Sequence, residues 1–310
     1  MSKALIALGQ RLSRMGYRFT TVTPTAQGIV NRRAANQKAR SLVDIFGWNR
    51  PFSADVLAPG LLELMQAAEI LEAEPGTGSW RSTIRFSTID EMLFAHSAFP
   101  TTKRDAVFFG PDSVRFVSAI LRTAAPAARV VDIGCGTGVG GIALRKAGFV
   151  QRQLVLADIN PEALRLAEVN AVLAGIDADI VGSDVLSGVE GEIDLVVANP
   201  PYLRDDQHRL YRDGSGEYGE AIGVRMVREA LRRLRENPRG GSLLLYTGAA
   251  IVEGADMFLA ALVDDLRETE VRFVYHELDP DVFSEELAKP AYANVDRIAA
   301  VFLHVQVGRR

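Results

Sequence analysis

Apolar residues recur with two different rhythms along this chain, and the change falls about a third of the way in. In the first part Leu5, Leu8, Leu12 and Met15 return at helical spacing, as do Leu61, Leu64, Ala68 and Leu71 within residues 58–73, and residues 27–46 form another helical candidate. Pro75, Gly76, Gly78 and Ser79 break the pattern, after which 82–87 and 93–99 read as two strands of a hairpin. From residue 112 onward, short apolar strands alternate with helical stretches. Strands are expected at 129–133, 153–157, 179–181, 194–198 and 242–246, and helices at 138–147, 161–174, 221–235 and 253–265. That alternation predicts an α/β chain with a doubly wound parallel sheet. The last two strands, 272–278 and 297–305, have no helix between them and are expected to pair antiparallel. The organisation expected is a helical domain over 1–80, a β-hairpin linker over 81–110 and a sheet domain over 111–310.

Composition narrows the class. The 310 residues are 48% hydrophobic and 24% charged, which excludes a mainly disordered, collagenous or disulfide-stapled chain. Cys135 is the single cysteine, and the histidines at 96, 208, 276 and 304 show no metal-ligand spacing, so no metal site is expected. No apolar run approaches the ~20 residues of a membrane helix, and the first twenty residues lack the pattern of a signal peptide, so the expected location is the cytoplasm. Charge is unevenly spread: residues 1–50 hold nine Lys and Arg against one acid, Asp44, although the whole chain has a net charge of −4.

The strongest local signal is VVDIGCGTGVGGIAL, residues 130–144: an apolar strand, then Asp132, Gly134, Cys135, Gly136 and Gly138, then a helix. Alternate glycines allow a tight turn and let a large ligand approach the backbone beneath a helix N-terminus. By itself this leaves a dinucleotide or another nucleoside cofactor open. Asp158 and Ile159 follow the second strand, where an acid can accept hydrogen bonds from ribose hydroxyls. Asp184 and Val185 follow the third, where a carboxylate can accept from an adenine amino group. The fourth strand runs into Asn199, Pro200, Pro201 and Tyr202. Read singly, Asp158 and Asp184 are equally well helix N-caps, and NPPY on its own reads rather as an ordinary proline-rich turn after a strand.

In this order the motifs resemble those of the class I S-adenosylmethionine-dependent methyltransferases, over roughly residues 111–310. The resemblance implies a Rossmann-like sheet of seven strands with the last antiparallel, and S-adenosyl-L-methionine as cofactor. It also implies that the loop from Gly134 to Gly138 meets the methionine portion, Asp158 the ribose and Asp184 the adenine, with Asp132, Cys135, Ile159, Val185 and Asn199 completing the binding set. Asn199, Pro200 and Tyr202 are then the catalytic candidates. A delocalised nitrogen yields its lone pair only if its hydrogens are held; the Asn199 side-chain carbonyl and the Pro200 main-chain carbonyl have the chemistry to hold them, while Tyr202 stacks on the planar group.

Among families with this tetrapeptide, the layout is most similar to the HemK-like protein glutamine methyltransferases, within the small-domain methyltransferase superfamily. It departs from them at Phe108–Phe116, FFGPDSVRF, which lacks their proline-arginine-proline-glutamate wording. The expected acceptor is a protein glutamine. A nucleic-acid base, adenine N6 or guanine N2, is the alternative, supported by the basic first fifty residues. A small molecule, even by intramolecular displacement within the cofactor, is the third. The acidic stretch from Asp213 to Glu220 is read either as a substrate lid or as a solvated loop.

Overall fold

The computed structural model describes residues 1–308. The N-terminal part contains α1 (Ser2–Arg14), α2 (Pro24–Asn31), α3 (Leu61–Ala67) and two hairpins, β1 (Leu71–Glu74) with β2 (Ser79–Ser82) and β3 (Ile84–Ile89) with β4 (Met92–Ser97). Leu5, Leu8 and Leu12 of α1 are fully buried against α3 and against a helix of the following region, α6 (below); Met15, the fourth residue of the stripe, is exposed.

Two helices expected here are shorter than the apolar spacing suggested. The stretch 27–46 breaks because Asn36 and Gln37 turn their carboxamides back on the carbonyls of Val30 and Asn31, giving the end of α2 an alternative to continued helix. A 3-10 turn (Ala34–Asn36) and a π turn (Val43–Gly47) follow. The stretch 58–73 holds only α3. Gly60 in the left-handed region starts it, Glu69 at φ 57° ends it, and Leu71 onward joins a strand.

The remainder runs α4 (Pro111–Thr123), β5 (Ala127–Ile133), α5 (Val139–Lys146), β6 (Val150–Asp158), α6 (Pro161–Ala174), β7 (Asp179–Gly182), β8 (Leu195–Ala198), α7 (Ala221–Glu236), β9 (Gly241–Val252), β10 (Ala255–Asp256), α8 (Met257–Leu266), β11 (Val271–Asp279) and β12 (Arg297–Val307). The sheet order is β11-β12-β9-β8-β5-β6-β7, with β10 folding back on β9. Strands β7, β6, β5, β8 and β9 are parallel, and β12 is antiparallel to both of its neighbours. The doubly wound sheet with an antiparallel last strand is therefore present.

The helix expected over 253–265 starts late, at Met257. Glu253 and Gly254 at φ 49° and 77° form a two-residue hairpin turn between β9 and β10, and Asp256 caps α8 by accepting from the Leu259 N–H. Apolar layers cover both faces of the sheet, one under α4, α5 and α6 and the other under α7 and α8, and a third cluster joins α1 and α3 to the buried side of α6. No helix among the described residues is long and apolar enough to cross a membrane.

Candidate active site

Strand order sets the site. The chain steps from β5 to β6 on one side and returns to β8 on the other, so a crevice opens beyond the carboxyl ends of β5 and β8. Ile133 and Ala198 are register partners at those ends, which brings the glycine loop and the Asn199–Tyr202 turn out side by side. Asp158 and Gly182 are likewise partners, so the two acid-bearing loops emerge as neighbours. A cavity of about 940 Å³ covers all four loops, a size suited to a nucleoside cofactor with room beside it.

The glycine loop is bent by Gly134, Gly136 and Gly138 at φ 61°, 55° and 75°, conformations that side chains disfavour. Two carboxylates hold it in place. Asp132 Oδ2 accepts the Gly141 N–H at 2.8 Å, tying β5 to α5, and burial pushes its carboxyl up to about 8. Asp158 accepts the Gly136 N–H with one oxygen and the Asn160 N–H with the other, both at 2.8 Å, and burial raises its pKa as well. Each Asp158 oxygen keeps a lone pair for a ligand. The residue that caps α6 is Asn160, which accepts from the Glu162 N–H, so Asp158 is not a helix cap.

The other cofactor candidates also lie along the cavity. Ile159 is exposed and offers an apolar face, while the Cys135 thiol is buried with its pKa pushed up, which leaves it inert. Val185, a β-branched residue, sits at φ 54°. Its carbonyl accepts from Ser183 Oγ at 2.9 Å, which holds the strained turn. Asp184 is half-exposed, starts no helix and is bound to Arg225 of α7 at 2.7 Å. Arg225 gave no signal in the sequence, since the pairing depends on where α7 lies over the sheet.

At the Asn199 turn the pattern reverses. Among the described residues, no hydrogen bond engages the Asn199 side chain or the Pro200 carbonyl, and both residues line the cavity. Tyr202 is buried; its hydroxyl donates to Asp112 Oδ2 at 2.9 Å, and burial raises its pKa, keeping it a donor. Asp112, near the start of α4, also accepts from Tyr246 at 2.8 Å and from Arg115 at 3.0 Å. The sequence reading passed over Asp112, whose partners lie 90 and 134 residues away.

The stretch after the turn is fastened rather than free. The Leu203 N–H donates to the Arg212 carbonyl and the Gly214 N–H to the Leu203 carbonyl, Arg204 reaches the carbonyls of Gly216 and Glu217, and Tyr211 stacks on Phe108 at 5.6 Å and bonds Thr101 at 2.7 Å. The far wall of the cavity comes from the N-terminal part, with Gln27, Asn31, Asn49 and Phe99. Among the described residues, no cluster of His, Cys, Asp and Glu has the geometry to hold a metal.

The family model for the methyltransferase small domain matches residues 102–247, just under half of the chain. This stretch is similar to a methyltransferase small domain. The match agrees with the enzyme class and cofactor class expected from the motifs, S-adenosylmethionine-dependent methyl transfer. The release factor glutamine methyltransferase of Deinococcus radiodurans is 38% identical over 130 residues, covering 38% of this chain and 44% of that protein. The ribosomal RNA small subunit methyltransferase C of Actinobacillus pleuropneumoniae is 32% identical over 123 residues, covering 39% and 32%. The first curated relatives are thus matched over only about half of their length. Among solved structures, Trm5b of Pyrococcus abyssi shares the fold at 15% identity with a TM-score of 0.50, covering 77% of this chain and 62% of that one.

The residues present suit the cofactor. The glycine loop leaves its backbone open to close approach, Asp158 retains acceptor capacity, and Ile159 gives a flat apolar wall.

Proposed function

We propose that the protein methylates a planar nitrogen, and that this nitrogen is the side-chain amide of a protein glutamine. The observation that carries the reading is the pair of uncommitted carbonyl groups, on Asn199 and Pro200, beside the glycine loop. The 134–138 loop, Asp158 and the Asp184 turn would hold the cofactor, which would supply a methyl made electrophilic by a sulfonium. Asn199 and Pro200 accept the two N–H groups of the acceptor amide and turn its lone pair toward that methyl. They also stabilise the positive charge that grows on nitrogen as the N–C bond forms and the C–S bond breaks, after which a proton leaves to solvent. Tyr202 bounds the planar group. Relatives named as glutamine methyltransferases support the amide as acceptor.

A nucleic-acid base is the second reading, and one observation favours it. Arg32, Arg33, Lys38 and Arg40 are exposed and, among the described residues, form no ion pair, and the Arg32 guanidinium lies against cavity-lining Gly28. Unneutralised cations, one of them next to the cavity wall, suit a phosphate backbone. Labelled methyl transferred from S-adenosylmethionine into a cell extract tests both. Label in nuclease-resistant protein, recovered as methylated glutamine after proteolysis, is expected. Label destroyed by nuclease transfers the assignment to a base, and label confined to small molecules overturns both.

A further inference from the structure

Tyr202 is held at two points, by residues that belong to neither the glycine loop nor the NPPY turn. Its hydroxyl donates to Asp112 at 2.9 Å, and Asp112 is itself fixed by Tyr246 and by Arg115, which also bonds Asp279 at 3.0 Å. Its ring lies on the backbone of β9 at Gly248, where an added Cβ would come within 2.2 Å of the Tyr202 ring. Gly248 does not adopt a positive φ, so nothing in its own backbone conformation calls for glycine. The absence of a side chain there serves the tyrosine. Phe283 closes the ring edge-on at 5.9 Å.

We propose that Asp112 and Gly248 are positioning residues that set where the Tyr202 ring stands in the cavity, and thereby fix the acceptor turn beside the cofactor loop. A buried carboxylate shared by two buried phenols and a guanidinium defines the hydroxyl position sharply, because its loss leaves both phenols without a partner or solvent. The close contact at Gly248 limits where the ring can stand. This role rests on the methyl-transfer reading above for its consequence in catalysis, though not for the mount itself.

The test uses the full chain and two readouts. Hydrogen exchange at Leu203 and Gly214, whose N–H groups bridge the segment behind Tyr202, needs no acceptor. Asp112→Ala is expected to speed it by about tenfold or more, with Asp112→Asn intermediate because one carbonyl acceptor remains. In methyl transfer, Asp112→Ala and Gly248→Ala are each expected to lower kcat by about tenfold or more with cofactor Kd and KM within about twofold. If the role acts through Tyr202, Asp112→Ala adds little in a Tyr202→Phe background, and Gly248→Ala adds little in a Tyr202→Ala background. Unchanged exchange, or losses of full size in those backgrounds, would overturn the proposal. An inactive wild-type protein would remove the methyl-transfer reading, while the exchange comparison would still decide the mount. Should Asp112→Ala fold poorly, Asp112→Asn carries the same comparison.

Discussion

The loops beyond β5 and β6 and the turn beyond β8 are neighbours in one cavity, yet they use their hydrogen-bonding groups in opposite ways. In the first, Asp132 and Asp158 spend oxygens on the N–H groups of Gly141, Gly136 and Asn160, so the loop is braced from within. In the second, Asn199 and Pro200 bring carbonyls to the cavity that no described group uses. A buried group that is satisfied has a structural share in what it does, whereas a rigid turn with uncommitted acceptors is prepared for a partner that arrives from outside.

The most severe way to break this contrast is Asn199→Ala. Turnover is expected to fall by ~10²-fold or more while cofactor affinity, measured by calorimetry, stays nearly constant. A comparable loss of cofactor binding would show that Asn199 belongs to the braced side. Asp158→Ala should act the other way round. It frees the Gly136 N–H and is expected to weaken cofactor binding by about tenfold and to destabilise the fold by about 1–3 kcal/mol. Normal binding with lost turnover would reverse the two roles.

Asp132 gives the gentlest test, through pH. Its carboxyl is raised by burial to about 8, so between the ordinary carboxylate range and pH 8 the folded protein holds a proton that the unfolded chain has released. Stability from this group therefore falls as pH rises through that window and levels off above it. Asp132→Asn keeps an acceptor for Gly141 and removes the titration. The Tm of the variant, relative to wild type, should be higher at pH 8 than at pH 5. An identical pH dependence of the two proteins would mean that Asp132 is ionised in place.

Much of the sheet region was legible because its signals are local. Helix α6 spans Pro161–Ala174 as its apolar spacing indicates, capped by Asn160 with proline in its first turn. The glycines at 134, 136 and 138 announce the turn they make. The N-terminal part was less legible. Residues 71–74 continue a helical apolar pattern and become β1 because Ser79–Ser82 pairs with them. Residues 27–46 lose their helix to side chains that bond the carbonyls at the end of α2. The basic first fifty residues also divide on folding. Arg50 is buried against Asp44 and Arg18 meets Glu91, while Arg32, Arg33, Lys38 and Arg40 stay exposed.

The sequence by itself determined the strand and helix alternation, the bent glycine loop and the stiff NPPY turn, because proline, glycine and apolar periodicity act over a few neighbouring residues. Only the tertiary structure decided that β5 and β8 lie side by side, that Arg225 closes on Asp184, that α2 and Asn49 wall the cavity, and that Asp112 and Gly248 grip Tyr202. Those arrangements join residues far apart in the chain, and a hydrogen bond between such residues leaves no period in the sequence from which to read it.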